Sequence, residues 1–282
     1  MRNYISSLEN KEVLLATKHK KEEVISPLFQ SHFSAKIIVP QDYDTDVFGT
    51  FTGEVERTKD PLSTLRQKAL TAMEKFNFDL AIASEGSFGP HPLIPFMPAD
   101  EELLIFIDKN EDLAIVVKHV STNTNYASQE VKTLSELSEF ADRVEFPTHA
   151  LILKNSSTGE IHKGIRDKNQ LINSFNLLYQ FGLPLTVETD MRAVFNPTRM
   201  KVIKETTEKL IQKILSQCPS CFTPGFSIES LLPGLPCLNC GLPTKSAKKA
   251  ISRCGKCKYE NEVLFPLKRE AEDPMCCDYC NP

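Results

Sequence analysis

All nine cysteines fall at or after Cys218, and eight of them form four C-x-x-C pairs: Cys218/Cys221, Cys237/Cys240, Cys254/Cys257 and Cys277/Cys280. Two thiolates at this spacing on a tight turn can point at one ion, and two such turns complete a tetrahedral four-cysteine site. Four pairs therefore predict two structural zinc ions, with an iron–sulfur cluster or a redox pair as the competing uses. Cys276 is the odd cysteine, because only Cys277 keeps the two-residue spacing to Cys280. Spacing leaves the pairing open. Sequential sites would join the first two pairs and the last two; a cross-braced arrangement would join first with third and second with fourth.

One catalytic zinc reading is excluded by what is missing. Pro236-Cys237-Leu238-Asn239-Cys240 contains the P-C-x-x-C of zinc deaminases. That chemistry also needs an H-x-E element, and no histidine here has glutamate two residues later. The segment Lys245–Lys258 carries six basic residues and no acid. It reads either as a phosphate or partner-docking face, for nucleic acid or protein, or as an offset to eight thiolates that two Zn²⁺ only half neutralise.

Four further segments carry more polar chemistry than a scaffold needs. Thr17, Lys18 and Lys20 sit where a strand meets a helix, and backbone N–H groups with lysines beside them form an anion site. Asp44 and Asp46 crowd a loop with threonines, which suits Mg²⁺ or Mn²⁺. Ser84-Glu85-Gly86-Ser87-Phe88-Gly89-Pro90-His91-Pro92 follows a buried strand, where α/β folds place ligands. Glu85 is the candidate metal-side acid there, and either Glu85 or His91 the candidate for handling a proton. Arg192 and Arg199 flank a strand-to-helix turn and could clamp a phosphate, or pair with Glu188 and Asp190. His149, inside an apolar strand, reads as a core histidine.

These groups need a frame. Glu12–Thr17 is a strand, Lys18–Phe29 a helix and Ala35–Val39 a second strand, followed by a long loop or a hairpin over Pro40–Lys59. Asp60-Pro61 is a cap followed by proline, opening a helix with Leu62, Leu65, Ala69, Ala72, Met73 and Phe76 at helical spacing. Asp79–Ala83 is a strand running into the Ser84–Pro92 turn, and Leu103–Ile107 with Leu113–Val117 form a hairpin. A helix over Ser128–Ala141, a strand over His149–Leu153, a helix over Lys168–Phe181, a strand over Pro184–Glu188 and a helix after Asn196-Pro197 complete the pattern. The fold class is α/β, a mixed sheet flanked by helices with a small C-terminal zinc-ribbon-like domain. The expected boundary divides 1–216 from 217–282.

Hydrophobic residues at 41% and charged residues at 25% suit a globular chain, and a net charge of −4 offers no global field for nucleic acid. The apolar run Val13–Ala16 is too short for a secretion signal, and no stretch approaches a membrane span. The expected location is cytoplasmic.

The stretches ATKHKKE, DTDVFGTFTGEVER, ASEGSFGPHP, TDMRAVFNPTRM and the C-terminal PC-x-x-CG resemble an uncharacterised bacterial family known only as a domain of unknown function, along nearly the whole chain. From Val13 to Gly86 the order of strands, helices and polar turns is similar to that of the inosine/xanthosine triphosphate pyrophosphatases. That resemblance implies that Thr17, Lys18 and Lys20 contact phosphates and that Glu85 helps to hold Mg²⁺. It implies a metal-dependent phosphohydrolase or pyrophosphatase acting on a nucleotide-like phosphate. The region after about residue 120 and the cysteine-rich segment have no counterpart there, and part of a fold does not transfer function. The alternative is a non-catalytic protein that docks nucleic acid or a protein partner through its zinc domain.

Overall fold

The computed structural model describes residues 4–41, 43, 60–182 and 184–282, so Asp44, Asp46 and most of the segment 40–59 lie outside the described residues. The chain divides into two compact units, Glu9–Leu210 and a second made of Met1–Leu8 with Ile211–Pro282. The second unit begins with the single turn α1 (Tyr4–Ser7).

In the larger unit, β1 (Glu12–Ala16) leads to α2 (Glu22–Phe33) and β2 (Lys36–Ile38). The helix starts four residues later than Lys18 because His19 and Lys20 adopt left-handed φ values of 66° and 61°, which no α-helix accommodates. Helix α3 (Pro61–Phe76) starts on its expected cap: Asp60 accepts from Ser63 N at 3.0 Å, and Pro61 fills the first turn, which leaves no donor wasted. Then come β3 (Leu80–Pro90), β4 (Pro98–Asp108) and β5 (Leu113–Ser121). The expected turn at Ser84 does not form. Instead β3 continues through Ser84–Pro90, because β4 supplies an antiparallel partner for every residue from Leu80 opposite Asp108 to Pro90 opposite Pro98. The reversal occupies the residues between Pro90 and Pro98.

The expected helix over Ser128–Ala141 splits into β6 (Ser128–Val131) and α4 (Leu134–Arg143), divided by Thr133, whose hydroxyl caps Glu136 N. There follow β7 (Leu151–Asn155), β8 (Ile161–Ile165), α5 (Lys168–Tyr179), β9 (Leu185–Thr189) and α6 (Pro197–Leu215). The division between the units falls within α6.

Two sheets result. The first has the order β2-β1-β3-β4-β5; β1 is parallel to β2 and β3, and β3, β4 and β5 are successively antiparallel. The second, β6-β9-β7-β8, is wholly antiparallel and packs α4 and α5 over Leu151, Leu153, Leu185 and Val187. Side chains alternate across the first sheet. Leu103, Ile105 and Ile107 face Leu65, Ala69 and Met73 of α3, whereas Phe106 meets Phe29 of α2 on the other face. Glu85, opposite Leu103, therefore belongs to the α3 face. Ser84, Gly86 and Phe88, opposite Leu104, Glu102 and Asp100, belong to the α2 face.

The smaller unit carries an antiparallel meander, β10 (Ser227–Pro233), β11 (Ala247–Arg253) and β12 (Glu260–Leu264). Among the described residues no helix is long and apolar enough to cross a membrane.

Candidate functional site

The eight paired cysteines fall into two groups, Cys218, Cys221, Cys254 and Cys257 in one and Cys237, Cys240, Cys277 and Cys280 in the other, with all sulfurs of a group within 4.8 Å of one another. First joins third and second joins fourth, which is the cross-braced arrangement. Strand register explains it. Ser227 pairs with Arg253, so the turn just before β10 lies beside the turn just after β11. At the other end of this hairpin, Leu238 N donates to Glu272 O at 2.9 Å and Glu272 N to Pro236 O at 2.8 Å, which draws the last turn onto the second.

The turns share one construction. Phe222 N, Gly241 N, Lys258 N and Asn281 N donate back to the carbonyls of Cys218, Cys237, Cys254 and Cys277 at 2.8–3.1 Å. Phe222, Gly241 and Lys258 take left-handed φ values of 60°, 73° and 62°, so glycine fills only one of these three positions. Backbone N–H groups of Ser220, Asn239 and Cys257 point at the sulfurs of Cys218, Cys237 and Cys254 at 3.4–3.5 Å. The donor set fits a metal. Four thiolates about 2.3 Å from zinc stand about 3.8 Å apart in a tetrahedron, and the sulfurs here approach at 3.5–3.8 Å with no disulfide among them. Each group could hold one metal ion. Cys276 is exposed and belongs to neither.

Three of the six basic residues of the segment pair with acids from elsewhere in the unit. Lys245 pairs with Asp278 at 2.9 Å and Lys249 with Glu262 at 2.6 Å, and Arg253 contacts Glu229 and Glu260. Its sequence contains no acid, but the meander supplies them from β10 and β12.

A second concentration of chemistry lies in the larger unit, around the carboxyl end of β1 and the middle of β3, where the parallel pairing of the two strands stops. Ala16 is level with Ala83, so Thr17 leaves β1 beside Ser84. Three buried cations and three buried carboxylates gather there: Lys21, Lys68 and Arg199 with Glu85, Asp100 and Glu102. On the α3 face Lys68 Nζ contacts Glu85 Oε2 at 2.5 Å and donates to Ser84 O at 3.2 Å. On the α2 face Arg199 Nε donates to Glu102 Oε1 at 2.7 Å, Arg199 Nη1 donates to Met191 O, and the guanidinium lies 5.0 Å from the Phe88 ring centroid. Lys21 Nζ donates to Ser84 Oγ at 2.7 Å and stands 3.8 Å from Glu102 Oε2.

Gly86 makes this packing feasible. A Cβ there would lie 2.3 Å from Arg199 Nη2 and 2.6 Å from Glu102 Oε1. Burial drives the electrostatics. It lowers Lys21 to about 8 against the pull of Glu102. It raises Asp100 to about 8, and the Glu102 charge adds to the rise. Neither carboxyl oxygen of Asp100 has a hydrogen-bond partner among the described residues.

Of the residues singled out in the sequence, Thr17, Glu85 and Arg199 belong to this region, with Glu85 and Arg199 on opposite faces of the sheet. Lys18 is half-buried in the turn after β1; Lys20 is exposed and pairs with Glu23 at 3.5 Å. Glu85 is held by Lys68 and belongs to neither metal-capable group found among the described residues. His91 stands apart from it. It caps the β3–β4 reversal, where its Nδ1 accepts from Leu93 N and Ile94 N, six strand positions or about 20 Å from Glu85. Arg192 is engaged locally, its Nε and Nη2 on the Asp190 carboxylate at 3.0 and 2.6 Å and its guanidinium over Phe195. His149 is buried and meets Thr198 through Nε2 at 3.0 Å.

Lys21, Lys68, Asp100 and Glu102 went unread as site residues, and three of them left a signal. Lys68 occupies an apolar-face position of α3 between Leu65 and Ala69, and Asp100 and Glu102 continue the inward alternation of Leu104 and Phe106.

The profile of the family described as Domain of unknown function (DUF6671) matches residues 68–282, and the chain belongs to that family. No curated protein matches the chain.

Proposed function

We propose that this member of the DUF6671 family is a phosphohydrolase or pyrophosphatase acting on a nucleotide-like phosphate, with two structural zinc ions in its cysteine groups. The observation that carries the reading is the burial of Lys21, Lys68 and Arg199 at the carboxyl end of β1, where its parallel pairing with β3 stops, with no carboxylate among the described residues closer to Lys21 than 3.8 Å. That is where α/β sheets bind ligands. Fixed cations in a low-dielectric setting stabilise the charge that develops as a phosphoryl group is transferred. Thr17 and the half-buried Lys18 extend this positive edge along the turn after β1. Glu85, braced by Lys68, is the group to align a water, and a divalent cation would accompany the nucleotide. Zinc is the metal that four-cysteine sites with these spacings select, and it would supply much of the folding energy of the small unit.

The test is a panel of nucleoside di- and triphosphates with Mg²⁺ or Mn²⁺, read as released phosphate or pyrophosphate. Glu85→Gln should remove turnover while zinc content stays at about two per chain. A panel without metal-dependent turnover, or an unaffected Glu85→Gln variant, would refute the enzymatic reading.

One observation favours the alternative of a docking protein. Ile228 and Leu231 on β10 and Val263 on β12, which flank Ser252 and Ala250 on one face of the meander, are exposed, while Lys249 and Arg253 of the strand between them are paired with acids. This face suits a protein better than nucleic acid, and a binding assay with Leu231→Ser and Val263→Ser in the intact chain tests it.

A further inference from the structure

The geometry points to Ser84 as a nucleophile with Lys21 as its base, a serine–lysine pair buried on the α2 face of the first sheet.

The three buried cations of the cluster are not alike. Lys68 has a carboxylate oxygen at 2.5 Å and Arg199 has one at 2.7 Å. Lys21 has none closer than 3.8 Å among the described residues, and that carboxylate, Glu102, is already engaged by Arg199. Among the described residues Lys21 Nζ donates to the hydroxyl of Ser84, at 2.7 Å, with both side chains almost wholly buried. A lysine ammonium held in this way is poorly compensated, so its neutral amine becomes accessible near neutral pH. The charged groups around it agree. Glu102 and Glu85 favour the ammonium and Arg199 and Lys68 oppose it, but burial outweighs them all and brings Lys21 to about 8. Asp100, two residues from Glu102 on the same face, responds in the opposite sense. An amine that can accept a proton, within hydrogen-bond reach of a serine hydroxyl, is the arrangement that activates serine in serine–lysine hydrolases.

This inference rests on the phosphohydrolase reading for its electrophile, a phosphoryl group. Ser84 Oγ attacks phosphorus as its proton passes to Lys21 Nζ. The Oγ–P bond forms, the bond from phosphorus to the leaving oxygen breaks, and the leaving group departs with that electron pair and takes a proton from the Lys21 ammonium. Water then cleaves the seryl phosphate, giving a proton back to Ser84. Lys68, on the Ser84 carbonyl, holds the strand at this point.

The probe is diisopropyl fluorophosphate, which needs no knowledge of the natural substrate because fluoride is its leaving group. Incubation of the full chain should add one diisopropylphosphoryl group, located on Ser84 by tandem mass spectrometry and absent in Ser84→Ala. The labelling rate should climb roughly tenfold per pH unit below about 8 and then level off. Lys21→Met should slow labelling by about two orders of magnitude. If either variant fails to fold by melting curve, the pH profile of the unaltered chain decides. Absence of an adduct on Ser84, or a rate indifferent to pH, overturns the inference. An adduct without nucleotide turnover would retain the pair and refute the nucleotide reading; turnover without an adduct would do the reverse.

Discussion

Replacing Arg199 by methionine should cost the larger unit a substantial part of its stability. The side chain is 1% exposed, its Nε is 2.7 Å from Glu102 Oε1, and Glu102 is itself 1% exposed. Methionine fills much of the volume but leaves a carboxylate in the interior with Lys21 at 3.8 Å as its remaining counter-charge. Removing one member of a buried pair costs about 3–5 kcal/mol, because the other is left uncompensated. For a unit of about 200 residues, at about 2–4 °C per kcal/mol, the melting temperature should fall by roughly 6–20 °C. The double variant Arg199→Met/Glu102→Leu removes both charges, and should recover most of the loss, since apolar replacement of a buried pair is often neutral. That recovery should grow with pH. Lys21, deprived of Glu102, is tolerated only as the neutral amine. Calorimetry on the three proteins at pH 6 and pH 9 provides the measurement. An Arg199→Met variant that melts within about 2 °C of the parent, or a double variant no better than the single, would refute the argument that the pair is held by mutual compensation.

Elemental analysis should return about two zinc ions per chain, falling to about one in Cys277→Ser and unchanged in Cys276→Ser; iron, or no metal, would contradict the assignment of two zinc–thiolate sites. Gly86→Ala should lower the melting temperature by several degrees, about as breaking the Arg199–Glu102 pair does, because the new methyl has no room beside either partner; an unchanged melt would show that the pair can move aside. Asp100 binds a proton more tightly folded than unfolded, so its contribution to stability is greatest below about pH 4 and is lost as pH rises through about 8. Asp100→Asn mimics the protonated form and should flatten that decline, which denaturant titrations at pH 5 and pH 8.5 would reveal.

The parts of this molecule that local chemistry dictates were legible in its sequence. Each C-x-x-C announces a turn, and Asp60-Pro61 announces a helix start that the chain uses. What depends on distant partners was not. Whether Ser84–Pro90 turns or extends depends on β4, which offers its ladder from residues 98–108. The cross-bracing depends on the register of Ser227 with Arg253. Lys21, Lys68 and Glu102 come from three separate elements, so no window of sequence contains their cluster. Glu85 and Arg199 could be picked out because they sit close to glycine or proline punctuation; His91, between two prolines, carries a similar mark yet serves a turn, and Arg192, marked only by its place after a strand, serves a local ion pair.

The interleaving of the cysteine groups also sets an order of events during synthesis. The first group has all its ligands once Cys257 has left the ribosome, and it encloses Cys237 and Cys240 within the loop that it ties. The second cannot close until Cys277–Cys280 arrives, about twenty residues later, by which time its first two sulfurs are already positioned by β10 and β11. A nascent chain therefore passes through a stage with two preplaced thiols waiting for partners. A nick anywhere between Cys240 and Cys254 would sever a segment common to both loops, so neither metal-capable group lies on a contiguous half of this unit.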